Sequence, residues 1–209
     1  MEASRSLAQE LDDSGLRLDD GLVGQLDAYF ALLRRWNRTI NLTGLDFDEG
    51  RKAVSRLLVE PLLAAHLLPH GSALLDIGSG GGSPGIPLAL ATRASELTLV
   101  ESKSRKAAFL ADAVRLVPVP SARVTCARWE AVVALAAEQQ RYDAVSMRAI
   151  RVETGDFDRF RPVLRPGGRV LMFHSGASVP VLPVGWGAER PLPLVSELDS
   201  FVSVMSPLA

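Results

Sequence analysis

The sequence predicts an α/β fold: a Rossmann-like, mostly parallel sheet flanked by helices, finished by an antiparallel edge strand and preceded by a helical N-terminal extension. Three observations carry that expectation. Short apolar runs alternate with helical stretches after Gly71, only helical periodicity precedes it, and a glycine-rich turn follows the first apolar run. With 209 residues, 47% of them hydrophobic, the chain is long enough to bury one sizeable core. The expected division is residues 1–70 as the extension, packed on a core domain of residues 71–209.

From Asp20 to Asn37, the apolar residues Leu22, Val23, Leu26, Tyr29, Phe30, Leu33 and Trp36 recur at the spacing of one helix face. Arg34, Arg35 and Arg38 gather at its C-terminal end, where cations suit the helix dipole. A second helical pattern runs from about Asp48 to Leu68, and Pro61 should kink or divide it. The runs "ALLDI" (73–77), "LTLVE" (97–101), "ARVTC" (122–126), "YDAVSM" (142–147) and "RVLMF" (169–173) then read as strands, with a helix over Ser104–Leu116. "PLVSEL" and "DSFVSVM" read as two final strands tightly joined, which requires an antiparallel edge. Between them and the fifth strand, "VPVLPVGWGAERPLP" is a loop of biased composition.

Composition removes several classes of function. One cysteine, Cys126, rules out an internal disulfide framework, and His66, His70 and His174 have no metal-ligand spacing, so no metal is expected. Cys126 itself, at the end of the third strand, is expected to be a buried structural thiol. The N-terminus lacks the basic and apolar regions of a signal peptide, and no apolar run reaches membrane length. A cytoplasmic monomer is the expectation. The net charge of −1 hides an uneven distribution: residues 1–30 carry two basic and seven acidic side chains, and residues 103–169 carry thirteen basic and seven acidic. The basic half suits a polyanion if its charges share one face.

The most informative stretch is "LLDIGSGGGSPGIPL", residues 74–88, in which Asp76 precedes Gly78, Gly80, Gly81, Gly82 and Gly85. Glycine permits positive φ and close approach of a ligand to the backbone, and a helix should open near Pro84 or Gly85. A strand, such a turn and a helix form a nucleotide-cofactor crevice. Gly80, Gly82 and Gly85 satisfy G-x-G-x-x-G, which does not by itself separate a dinucleotide from other cofactors. Asp76 separates them on charge. A carboxylate beside the helix N-terminus repels a pyrophosphate and attracts a ligand bearing an ammonium and a sulfonium, as S-adenosylmethionine does. Glu101, ending the next strand, is placed to grip ribose hydroxyls in either case.

After the third strand, "ARWEA" places Arg128, Trp129 and Glu130 beside the adenine pocket of such a fold. There Glu130 either reads the adenine amino group or favours the first turn of the following helix. The fourth strand ends in "VSMRAIR", with no Asn-Pro-Pro-Tyr or Asp-Pro-Pro-Tyr tetrad of exocyclic amine methylation. A ring nitrogen such as guanine N7 already owns a lone pair and needs no base, so it is consistent with these residues without being established by them.

Taken in order, "WNRTINLTG", "LLDIGSGGGSPGIPLAL", "LTLVESKSRKAAFL", "ARWE" and "MRA" resemble the bacterial small-subunit ribosomal RNA guanine-N7 methyltransferases, also called the glucose-inhibited division protein B family. The resemblance runs from about Leu32 to Phe173. It implies a class I S-adenosylmethionine-dependent methyltransferase acting on 16S ribosomal RNA or the small ribosomal subunit. It places the cofactor on Asp76, Gly78, Ser79, Gly80, Gly82, Glu101, Ser102, Arg128, Trp129 and Glu130, and gives Arg148 the catalytic, substrate-facing position, on phosphate or guanine. Asn37, Asn41, Arg105 and Lys106 match positions on the substrate side; Asn41 and Thr43 serve equally well as helix caps.

Departures from that family are concentrated on the substrate side. Arg56, Val59 and Glu60 stand where it usually has a histidine and an Asp-Ser pair, Met147 replaces a serine, and Ser175 replaces a lysine. The C-terminal "FVSVMSPLA" lacks the usual arginine and final lysine. Loss of such cations weakens phosphate binding. Two rivals therefore stand beside the implied activity: a divergent methyltransferase acting on another nucleic acid or a small molecule, and a noncatalytic cofactor-binding protein of the ribosome. A nicotinamide-dependent dehydrogenase is a more distant one.

Overall fold

The computed structural model describes residues 7–47, 51–117, 119–176 and 180–208. A short helix α1 (Leu7–Asp13) precedes α2 (Asp20–Asn37), whose first turn is capped by the Asp19 carboxylate accepting from Leu22 N at 2.9 Å. Leu26, Tyr29, Leu32 and Leu33 of α2 are buried, each contributing about 1.5–3 kcal/mol if fully withdrawn from water. The second helical pattern begins outside the described residues at Asp48 and is broken into α3 (Lys52–Val54), a π-turn (Ser55–Val59) and α4 (Glu60–Ala64). Pro61 is the physical cause. It has no N–H for the Leu57 carbonyl, and the turn widens so that Glu60 N reaches Ser55 O.

The sheet contains β1 (Ala73–Ile77), β2 (Glu96–Glu101), β3 (Ala122–Cys126), β4 (Tyr142–Arg148), β5 (Leu164–Ser175), β6 (Trp186–Ala188), β7 (Leu192–Pro193) and β8 (Ser200–Pro207). Its order is β3-β2-β1-β4-β5-β8-β6, with β7 also pairing with β8. Strands β1 to β5 are parallel, and β8 runs antiparallel to β5, β6 and β7. The connecting helices are α5 (Gly85–Ala91), α6 (Ser104–Leu116), α7 (Trp129–Val133) and α8 (Phe157–Phe160). Strand order reverses at β1, between β2 and β4, so a crevice opens where their carboxyl ends diverge.

Two apolar layers sandwich the sheet. Ala73, Leu75 and Ile77 of β1 join Val145, Phe157, Phe160 and Trp186 on one face, while Leu74 joins Leu26, Tyr29, Leu33, Leu58 and Phe109 on the other. The N-terminal helices and the sheet thus share one hydrophobic cluster. At the opposite end of the strands from the crevice, the buried Tyr142 hydroxyl ties β4 to Thr98 of β2, to Glu138 in the turn before β4 and to Arg123 of β3.

Three expectations fail. "PLVSEL" is not a strand: only Leu192–Pro193 pairs, and Val195 to Ser200 turns tightly through a 3-10 turn (Ser196–Leu198) and a left-handed Asp199, with Ser200 Oγ accepting from Val195 N. Its apolar side chains pack on the core without pairing as a ladder. The biased loop contributes a strand of its own, β6, which seals the far edge of β8. Cys126 is exposed, because it ends β3, the edge strand of the sheet.

Candidate functional site

The crevice at the carboxyl ends of β1, β2 and β4 is shaped first by the turn from Gly78 to Pro84. Gly78 and Gly82 take φ +64° and +86°, which L side chains rarely adopt. Gly85 answers a different demand: a Cβ there would lie 2.7 Å from Asp76 Cβ and 3.0 Å from its Oδ2, so only glycine lets α5 begin against the carboxyl. Ser79 faces inward, its Oγ donating to the Asp76 carbonyl at 2.8 Å and accepting from Val100 N at 3.1 Å. From α2, the Tyr29 hydroxyl donates to Gly81 O at 2.6 Å, and Leu33 lies against the same glycine. Tyr29 is a residue the sequence conceals, since its spacing marks it only as part of an apolar stripe.

Two acids flank this turn. Asp76 is fully buried under it; its Oδ1 accepts from Ser146 Oγ of β4 at 2.6 Å, and its Oδ2 has no hydrogen-bond partner. Burial pushes the Asp76 carboxyl up to about 7, against the opposing pull of the Ser146 hydrogen bond and of the Arg148 charge. Glu101, also buried, accepts from Gly80 N at 3.0 Å and from Lys103 N at 2.7 Å, so its carboxylate fixes both the glycine turn and the start of α6. Ser102 lies exposed beside it, 3.5 Å from Oε1. An orphaned, buried acceptor beneath bare glycine backbone, with a second acid on the neighbouring strand end, fits a ligand carrying positive charge and a ribose.

The segment after β3 lies at the rim. Arg128 is largely exposed and pairs loosely with Glu130 at 3.5 Å, and Trp129 packs on Phe160 with ring centroids 5.1 Å apart. Glu130 Oε2 is buried without a partner, and no side chain caps α7, so the first-turn alternative leaves that oxygen unsatisfied.

Arg148 ends β4 on the other side of the crevice. Its Nη1 donates to Glu60 Oε2 at 2.5 Å, and its guanidinium carbon lies 4.9 Å from the Phe173 ring centroid. Its Nε and Nη2 are buried with no acceptor. Burial draws this guanidinium below its ordinary value, opposed chiefly by the Glu60 charge; an arginine so paired remains a cation. A cavity of about 440 Å³ opens beside it, walled by Met147, Ile150, Met172, Phe173 and Arg56. Ile150 also lies directly on Gly78, so cavity and glycine turn are contiguous.

The remaining candidates divide between bracing and surface. Asn37 Oδ1 accepts from Leu42 N at 2.9 Å and Thr43 N at 3.0 Å, and Thr43 Oγ1 accepts from Leu45 N at 3.2 Å. Asn37 therefore braces the loop after α2. Asn41 is exposed in a polar groove with Arg34 and Arg38. Lys106 Nζ reaches Leu42 O at 3.5 Å, and Arg105 is exposed at the start of α6. The basic half of the chain does not form one face: Arg123, Arg141 and Arg165 pair with Glu138, Glu96 and Asp143 away from the crevice. Among the described residues no His, Cys, Asp and Glu group could hold a metal ion, and no helix is long and apolar enough to cross a membrane.

Comparison with known proteins adds a family to this geometry. Residues 23–179 match the family described as rRNA small subunit methyltransferase G. A Ribosomal RNA small subunit methyltransferase G of Stenotrophomonas maltophilia (strain K279a) is 37% identical over 198 residues, covering 93% of this chain and 90% of that one. One from Xanthomonas axonopodis pv. citri (strain 306) is 37% identical over 180 residues, covering 85% and 82%. Among solved structures, a SAM dependent methyltransferase from Aquifex aeolicus aligns with a TM-score of 0.58 at 11% identity, covering 78% of this chain and 95% of that one. At that identity the likeness is one of fold.

Proposed function

Since the chain belongs to the rRNA small subunit methyltransferase G family, we propose that it transfers a methyl group from S-adenosylmethionine to N7 of a guanine in 16S ribosomal RNA. The observation that carries this reading is a pair of unmatched buried groups on adjacent strands: the Asp76 Oδ2 acceptor and the Arg148 Nε and Nη2 donors. A cation on one side and a carbonyl-bearing base on the other satisfy both.

Asp76 acts from beneath the glycine turn as a buried negative charge toward the methionine end, and the backbone of Gly78, Gly80 and Gly82 lets the cofactor approach closely. Ser79 contributes by setting the shape of that turn. Glu101 and Ser102 face the ribose, and Arg128, Trp129 and Glu130 border the adenine, with Glu130 Oε2 accepting from its amino group. When bound, S-adenosylmethionine would supply a sulfonium methyl to the N7 lone pair, with the C–S electrons returning to sulfur, so that the products would be a thioether and a cationic N7-methylguanine. No proton leaves the ring nitrogen, so the site needs orientation and not a general base. Arg148 provides it: its free donors suit guanine O6, which shares an edge with N7. Arg105, Lys106 and Asn41, with Arg34 and Arg38, meet RNA phosphates on the outer surface, and Asn37 holds that loop in place.

Calorimetry and methyl-transfer assays test these assignments together. Asp76→Ala or Glu101→Ala weakens S-adenosylmethionine binding by about 1–3 kcal/mol; unchanged affinity in both contradicts the cofactor site. Arg148→Ala lowers methyl transfer to undermethylated small subunits while cofactor affinity holds, and an equal loss in both contradicts its place on the substrate side.

A further inference from the structure

Glu60 is a lone acid in the apolar run "LLVEPLLAA", and it is 1% exposed. Both its oxygens are engaged: Oε1 accepts from Arg56 Nη1 at 3.1 Å and Oε2 from Arg148 Nη1 at 2.5 Å. Arg56 is anchored in turn, its Nη2 donating to Ser175 Oγ at 2.8 Å and to Leu198 O at 3.2 Å. The π-turn ahead of Pro61 carries Arg56, which lines the cavity, and places Glu60 buried behind it. The cluster is two guanidiniums on one buried carboxylate.

Nothing in the binding of a neutral base requires that carboxylate. The transfer step does: the positive charge that begins on sulfonium ends on the guanine ring, so the acceptor turns cationic beside a guanidinium. In a site with little water, an uncompensated Arg148 opposes that change, whereas a fixed anion behind it offsets the opposition. Resting on the proposed N7 chemistry, we propose that Glu60 is a positioning residue of the transfer step. It aims Arg148 by holding Nη1, so that Nε and Nη2 face the acceptor, and its buried charge offsets part of the repulsion between Arg148 and the base as the base becomes a cation. Arg56, itself anchored on Ser175 and Leu198, holds the other oxygen of Glu60.

The effect belongs to the transition state more than to RNA binding, and this separates it from a merely structural role. Glu60→Gln keeps shape and one hydrogen bond and removes the charge. With undermethylated small subunits as substrate, kcat falls by about tenfold or more. The KM for the subunit stays within about twofold or decreases, because the surplus cation attracts phosphate. Cofactor affinity, read by calorimetry, is unchanged, and Glu60→Asp recovers part of the lost kcat. An unchanged kcat in Glu60→Gln, or a Glu60→Asp variant no better than Glu60→Gln, overturns this role alone. Methylation by the wild-type protein at a position other than guanine N7 overturns both this role and the reading on which it rests.

Discussion

Asp76 carries the sharpest consequence at the level of single residues. Its carboxyl titrates at about 7 in the folded chain and near 3.8 when unfolded, so between those values the folded state holds the extra proton. Stability of the ligand-free protein therefore falls as pH rises from about 4 to about 7 through this group, and is flat in it above. Asp76→Asn, which never ionises, should raise the melting temperature of the ligand-free protein at pH 8 by a few degrees, roughly the shift expected for 1 kcal/mol in a chain of this size. A cationic cofactor selects the ionised form. Its affinity is expected to climb with pH through about 7 and then level, and Asp76→Asn removes that dependence; a pH-independent affinity in the wild type would contradict a buried anion acting on the ligand. Arg148 and Glu60 stand opposite, and neither their pairing nor the orphaned donors of Arg148 are visible without coordinates.

At the level of elements, α2 does more than cover the sheet. Tyr29 and Leu33 on one helix face hold Gly81 by a hydrogen bond and a side-chain contact, so the helix sets the conformation of the glycine turn. Tyr29→Phe leaves the Gly81 carbonyl without that donor and should cost about 1–2 kcal/mol of stability. It should also weaken S-adenosylmethionine binding, measured by calorimetry; a variant as stable and as tight as the wild type would reduce α2 to packing alone. The edge strand β3 yields a second test. Cys126 is exposed at its end, so a maleimide should label the native protein without denaturant, whereas protection until denaturant is added would place that thiol in the core.

Over the whole molecule, the parallel strands, α2, α6 and the crevice were legible because their signals are local: period, glycine at a strand end, and an acid two positions before it. What was not legible depends on which groups find a partner in the folded chain, near or far in sequence. Strand β6 exists because β8 offers it an edge, "PLVSEL" turns because Ser200 bonds back to Val195, and Cys126 is exposed because β3 has no outer neighbour. At the site, the acids and glycines were identifiable by type and spacing, but the cluster of Arg56, Glu60, Arg148 and Ser175 joins three separate segments. Three of those four are positions at which the chain departs from the family pattern, and they meet in one place. The net charge of −1 likewise says little, since Arg123, Arg141 and Arg165 of the basic half are matched locally, while Arg105 and Lys106 lie in the first turn of α6. Charge reversal there, as in Arg105→Glu, should raise the KM for RNA and flatten its dependence on salt while leaving cofactor affinity unaltered; an unchanged salt slope would remove that surface from the interface.

The most direct measurement is incubation with labelled S-adenosylmethionine and undermethylated small subunits, protein-stripped 16S RNA or tRNA, followed by chemical cleavage at N7-methylguanine. A single cleaved, labelled guanine in the small-subunit RNA is the expected result. Label at another atom or in tRNA, or no label while cofactor binding is intact, would contradict guanine N7 of 16S RNA as the acceptor.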